Sequence, residues 1–220
     1  MDSLEIYLNA TLRRIEQLHG DAPLMQRAGQ AAADWACELA NGRNRPILIL
    51  AGPGNNGGDA FEVARLLRER FFEIRVVFAG DLTSFPPDAT AAFERFIAAG
   101  GLTLPAIPKE CRWGLIIDGL FGIGLSRAPE GVHAELIAAA NRLADRDGCP
   151  LLALDCPSGL NGDTGQPQGP SIRASHTITF IAAKPGLLTA DGPDHCGEVR
   201  VADLGISATP ELPADGHVIS

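Results

Sequence analysis

"PILILAGPGNNGGDAFEVARLL", residues 46–67, passes from one kind of structure to another within a few positions. "PILILA" (46–51) is an unbroken apolar run, the pattern of a strand buried on both faces. "GPGNNGGD" (52–59) follows, with four glycines, two asparagines and an aspartate. Glycine frees the backbone for tight turns and close approach, and asparagine suits turns and adds a side-chain amide. An amphipathic pattern then begins, predicting a helix over about 58–70. A buried strand, a bare loop and a helix open an α/β unit, in which ligands bind beyond the carboxyl end of the strand.

The same alternation runs through the chain. "IRVVFA" (74–79), "LTLPAI" (102–107), "WGLIID" (113–118), "PLLALD" (150–155), "HTITFIA" (176–182) and "EVRVADL" (198–204) read as further strands. Helices are expected over about 87–99 and 130–146. Apolar strands separated by helices, joined by right-handed crossovers, make a three-layer αβα Rossmann-like fold with a mostly parallel sheet. Upstream, Leu4, Leu8, Leu12, Ile15 and Leu18 recur at helical spacing. A second helix, with Asp21 as its N-cap and Pro23 in its first turn, runs past Ala28, Ala32, Trp35 and Leu39. These two form an N-terminal helical extension. One domain is expected over residues 1–206, with "SATPELPADGHVIS" (207–220) as a linker or disordered tail without a core element.

Composition narrows the partners. The chain has 220 residues, 45% hydrophobic, and a net charge of -9. Nucleic acid and anionic membrane surfaces would repel it on average. No apolar run nears the ~20 residues of a membrane span, and the N-terminus lacks the pattern of a signal peptide. Cys37, Cys111, Cys149, Cys156 and Cys196 are odd in number and fit no zinc spacing. They read as reduced thiols of a cytoplasmic protein.

Three polar loops follow strands, so a parallel sheet delivers them to one edge: "GPGNNGGD", "DGLFGIGLSR" and "DCPSGLNGDTG". Gly52, Gly54 and Gly57 match G-x-G-x-x-G, and Asp81 stands after the next strand, as in a dinucleotide fingerprint. Asp59 opposes that reading, since its charge would face a pyrophosphate at the helix N-terminus. Asp59 is either a helix N-cap or a carboxylate that meets hydroxyls or a cation. In the second loop Gly122 and Gly124 permit close approach, Ser126 can donate and Arg127 is positive; this is a candidate phosphate site, although a plain turn would use the same glycines. In the third, Asp155 ends a strand beside Cys156, and Ser158 lacks a nucleophile elbow and an evident base, which makes it a ligand or loop-former. Lys184, in "FIAAKPGLL", also follows a strand; it is either a member of the site or a solvated surface residue.

"GPGNNGGD", "DGLFGIGLSR", "ALDCPSGLNGDTG" and "TFIAAKPGLL…GEVRVADLGI", in this order, resemble the NAD(P)H-hydrate epimerases, the YjeF N-terminal domain family. "RRIEQLHGDAPLMQRAGQAAA" resembles that family's opening helices. The resemblance implies a homodimer that interconverts the R and S forms of hydrated NADH and NADPH, which carry a hydroxyl at C6 of the nicotinamide ring. It implies that Asn55, Asn56, Gly57, Gly58 and Asp59 contact the hydrated dinucleotide. It further implies that Gly122, Ile123, Gly124, Leu125, Ser126, Arg127 and Ala128 hold its phosphates, and that Asp155 stands at the reacting ring. Asn56, Asp118 and Ser158 would bind a potassium ion. Asp155, Asp59 and Lys184 are the catalytic candidates, with one carboxylate serving both directions of the reaction. In that family the domain is often followed by an ADP- or ATP-dependent NAD(P)H-hydrate dehydratase, so the reading frame is expected to continue past Ser220. Ala60 departs from the glycine expected after "NNGGD". An NAD(P)-dependent dehydrogenase, or a non-catalytic nucleotide-binding protein of the same fold, are the alternatives.

Overall fold

β2 (Ile47–Ala51) has all five side chains buried, and they alternate between two cores. Ile47, Ile49 and Ala51 face one, and Leu48 and Leu50 the other. This is the period-2 geometry of a strand covered on both faces. The computed structural model describes residues 4–42, 44–125, 127–206 and 212–218.

After β2 come α3 (Asn55–Glu69), β3 (Ile74–Phe78), α4 (Pro87–Ala98), β4 (Thr103–Leu104), β5 (Leu115–Gly119), α5 (Gly131–Asp147), β6 (Leu151–Leu154) and β7 (His176–Phe180). Two short helices, α6 (Pro185–Leu188) and α7 (Gly192–Cys196), lead to β8 (Glu198–Ala202). Before β2 lie β1 (Leu4–Ile6), α1 (Asn9–Leu18) and α2 (Leu24–Ala40); β9 (Gly216–Val218) comes last. The main sheet has seven parallel strands in the order β4-β3-β2-β5-β6-β7-β8. It is the three-layer α/β fold expected. One core joins α2, α3 and α4 to the sheet through Trp35, Phe61, Leu67 and Phe96. The other packs α5 through Leu136, Ile137 and Ala140 around Trp113 and Ile116. Among the described residues no helix is long and apolar enough to cross a membrane.

Both chain ends differ from expectation. Leu4 belongs to a strand, not to the first helix, because β1 pairs antiparallel with β9: Leu4 with Val218, Glu5 with His217, Ile6 with Gly216. Residues 207–211 and 219–220 lie outside the described residues, but 212–218 are not a bare linker. Leu212 is buried with Tyr7, Leu12 and Ile15, and the Asp215 carboxylate accepts the Leu8 N–H at 2.8 Å. The α2 helix begins at Leu24, without a side-chain cap, so Asp21 is not its N-cap. Of the weak strand at 102–107 only Thr103 and Leu104 pair.

Candidate active site

The chain leaves β2 toward β3 and β4 on one side, and β5 leads to β6, β7 and β8 on the other. The switch point lies between β2 and β5, and the crevice opens at their carboxyl ends. Gly52 and Gly57 close this corner by backbone contact. A Cβ on Gly52 would stand 1.8 Å from the Leu120 carbonyl oxygen, and one on Gly57 would stand 2.0 Å from the Gly52 oxygen. Two glycines of the G-x-G-x-x-G pattern thus serve backbone packing, while nothing lies within 4 Å of a Cβ placed on Gly54.

The α3 helix starts at Asn55, three residues earlier than the periodicity predicts. Gly54 is its N-cap and supplies no side-chain cap. The Gly57 and Gly58 N–H groups turn back to the Gly54 carbonyl. Pro53, Gly54, Asn55 and Asn56 bring the positive end of this helix to a cavity of about 420 Å³. The other walls include Leu120, Phe121, Gly122, Ile123 and Gly124 from the β5 loop, Asp155 from β6, Phe180 from β7, and Arg13 and Glu16 from α1.

Asp155 is held in a rare conformation. Its φ is 65°, and the Cys156 N–H closes a three-residue turn onto the Leu154 carbonyl at 2.7 Å. Such a turn costs on the order of 1 kcal/mol or more and persists only where its surroundings enforce it. Here they do: Lys184 Nζ lies 2.7 Å from Asp155 Oδ1, and the Ile123 N–H donates to Oδ2 at 2.9 Å. Lys184 is fully buried and also donates to the Thr179 hydroxyl, so it is an internal cation and not a surface residue. Gly122 makes room: a Cβ there would stand 2.4 Å from Asp155 Oδ2.

Asp59 sits one turn inside α3 and is not the N-cap of a helix. Burial pushes its carboxyl well above the ordinary range, with Asp155, Glu16 and Glu62 adding to the shift. A shift in this direction weakens the argument that a fixed charge at Asp59 opposes an anion at this helix N-terminus. Glu16, an exposed residue of α1, opens onto the cavity, where partial desolvation and then the charge of Asp155 raise it to about 7.

Below the cavity, Asp118 ties two loops together. Its carboxylate accepts the Ser158 N–H at 2.8 Å, the Ser158 hydroxyl at 2.7 Å and the Leu120 N–H at 3.2 Å. The Ser158 oxygen in turn accepts the Phe121 N–H at 2.9 Å. Burial raises Asp118 to about 6 even against these hydrogen bonds. Both polar atoms of the buried Asn56 amide lack a hydrogen-bond partner. An unpaired buried amide costs roughly 1–3 kcal/mol, so this position is suited to a ligand.

Of the residues singled out in the sequence, Asn55, Asn56, Asp59, Gly122, Ile123, Gly124 and Asp155 share the cavity wall. Lys184 stands behind Asp155. Gly57 and Gly58 face inward instead; a Cβ on Gly58 would meet Met25 and Ala89 within 3 Å. Leu125, Arg127 and Ala128 are not part of the wall, and Ser126 lies outside the described residues. The Ala60 methyl is buried in the core and does not face the cavity. Asp81 caps a short turn by accepting the Thr83 N–H at 2.9 Å and does not line the cavity. The Cys156 thiol is buried, its pKa pushed far up by desolvation, which fits an unreactive side chain. Arg13 and Glu16 were missed. Their only sequence signal was a polar face on the first helix; Arg13 donates to the Ile123 carbonyl at 3.0 Å across a gap of 110 residues.

Known proteins match this chain over most of its length. An NAD(P)H-hydrate epimerase of Bordetella pertussis is 41% identical over 189 residues, covering 84% of this chain and 80% of its own. One of Achromobacter xylosoxidans is 41% identical over 191 residues, covering 85% and 88%. A bifunctional NAD(P)H-hydrate repair enzyme of Leishmania braziliensis is 38% identical over 190 residues, 83% of this chain but 33% of its own length. The crystal structure of yeast ynu0 has the same fold, with a TM-score of 0.71 over 83% of each chain at 19% identity. The family described as YjeF-related protein N-terminus matches residues 21–186, and with relatives this similar the chain belongs to that family.

Proposed function

We propose that this protein is an isomerase of cofactor repair, an NAD(P)H-hydrate epimerase that interconverts the R and S hydrates at C6 of the nicotinamide ring. The observation that carries this reading is the cavity at the switch point. It has the open N-terminus of α3 and the Gly122–Gly124 turn on its walls, and it gathers Asp155, Asp59 and Glu16. Backbone N–H groups at a helix start suit phosphates. Carboxyl groups suit a reaction that moves only a hydroxyl and a proton. At C6 the ring nitrogen expels the hydroxyl once an acid protonates it, and water then returns to either face as a base removes its proton. In this reading the Gly122–Gly124 turn and the α3 amides hold the phosphates, Asn55 and Asp59 meet the ligand's hydroxyls, and Asp155, held by Lys184, stands at the ring. High-performance chromatography of hydrated NADPH tests it: micromolar protein should bring pure R hydrate to the R/S equilibrium much faster than buffer. Equilibration no faster than in buffer would remove the proposal.

A potassium ion at Asn56, Asp118 and Ser158 belongs to the same proposal. The unpartnered Asn56 amide supports it, as does a donor set of hard oxygens with a single carboxylate, which suits a monovalent ion better than calcium or magnesium. The ion would supply fixed positive charge that joins the three loops. Crystals soaked in thallium or rubidium salt should show an anomalous peak between these residues, and ordered loops without a peak would discard the site. A homodimer, a cytoplasmic location and a dehydratase that consumes the S hydrate, fused or separate, complete the proposal.

A further inference from the structure

A second cavity, of about 380 Å³, opens between α2, α4 and the end of β7, with Leu24, Met25, Ala91 and Arg95 in its walls. Glu16, Asn55, Asp59 and Phe180 line both cavities, so the two meet there. Asp155 lines the first cavity alone. The junction is thus lined by Glu16 and Asp59 and not by Asp155.

The three carboxyl groups are not equivalent. Both oxygens of Asp155 are engaged, by Lys184 and by the Ile123 N–H. Asp59 is buried, and burial disfavours its charged form. Among the described residues, the Glu16 carboxyl accepts no hydrogen bond and forms no ion pair, and it is open at the junction. Its backbone is anchored. Leu12 and Ile15 pack with Ala182 and Ile206, the Asp163 carboxylate accepts the Asn9 N–H at 2.7 Å, and Arg13 holds the Ile123 carbonyl. Glu16 is an exposed residue whose carboxyl is nonetheless raised, by partial desolvation against the cavity wall and then by the charge of Asp155, which brings its proton transfer nearer to neutrality.

We infer that Glu16 is a second catalytic residue, acting on the water at the face of the ring turned away from Asp155; this rests on the epimerase reading above. Inverting C6 needs proton transfer at both faces, and one carboxylate reaches one face. On the Asp155 side, the C6–O bond breaks as the nitrogen lone pair forms C6=N, and the leaving hydroxyl takes a proton that the Lys184 ammonium passes through the Asp155 carboxylate, and departs as water. On the junction side, a water oxygen bonds to C6, the C=N π pair returns to nitrogen, and Glu16 takes the released proton. No electrons leave the substrate. One proton has passed from the Lys184–Asp155 pair to Glu16, which the reverse reaction or solvent resets.

Hydrate labelled with 18O at the C6 hydroxyl separates the two faces. Wild-type protein should both lose label and epimerise. Glu16→Gln should still exchange label with retention of configuration, within about threefold of the wild-type rate, while its epimerisation falls by about 100-fold, the scale of one lost acid–base group. The retained exchange shows that the variant is folded and binds substrate. Epimerisation by Glu16→Gln at the wild-type rate would overturn the inference, and so would a parallel fall of exchange and epimerisation. Wild-type protein that does neither would overturn the epimerase reading itself, and this inference with it.

Discussion

Asp155→Asn is expected to lower epimerisation of hydrated NADPH by about 100-fold or more, the loss of roughly 2.7 kcal/mol of transition-state stabilisation. The amide keeps the shape that accepts the Ile123 N–H, but it neither gives nor takes a proton near neutrality. The structure adds a second consequence. Lys184 is fully buried, and its anionic partner lies 2.7 Å away. An amide leaves that charge half-compensated, at a cost of about 1–3 kcal/mol. In a domain of this size the melting temperature should fall by about 5 °C. Rate and melting are measured on the same preparation at a temperature well below the transition. A variant with near-normal turnover would take Asp155 out of the mechanism, and one that melts like wild type would mean the ion pair contributes little.

The largest effect on folding is expected from Lys184→Met. Methionine fills the space of the aliphatic stem but removes the ammonium that holds Asp155 Oδ1 and the Thr179 hydroxyl. The Asp155 side chain, 13% exposed, is then an anion with one N–H donor. Breaking a buried pair by removing one partner costs about 3–5 kcal/mol. Turnover should fall by about tenfold or more, because the strained backbone at Asp155 loses one of the two contacts that aim its carboxylate. A double-mutant cycle checks whether the two act as a unit. Lys184→Met should cost much less stability in the Asp155→Asn background than in wild type. Additive losses would show that the pair is not coupled.

The strands were legible because burial on two faces writes itself as unbroken apolar runs; β2, β5 and β6 fall where "PILILA", "WGLIID" and "PLLALD" predicted them. The parallel sheet followed from helices between apolar strands, and the crevice from the shared carboxyl edge, whereas the strand order came from the structure. These local properties bring Asn55, Asn56, Asp59, Gly122 and Asp155 to one edge of the sheet, where they share a cavity wall. Local pattern was weaker at the start of α3. Asparagine and glycine are poor helix formers, yet "NNGG" is helical. The packing that compensates is tertiary: a Cβ on Gly58 would strike Met25 and Ala89, and one on Gly29 would strike Glu62, so these helices approach as only glycine permits.

Sequence alone determined the fold class, the edge at which ligands bind, and most of the residues that gather there. These follow from periodicity and chain connectivity, which are local properties. Tertiary structure decided the state of each group. Lys184 reads equally well as a surface lysine until Asp155 and Thr179 enclose it. Asp59 reads as an anion until burial and three neighbouring carboxyl groups favour the neutral acid. Glu16 reads as one polar position on an amphipathic helix until the pairing of β1 with β9 and the contact of Arg13 with Ile123 bring α1 to the cavity. Charge state depends on desolvation and on the distance to other charges, and both are set by contacts between separate elements of the fold, so no local reading of the chain contains them.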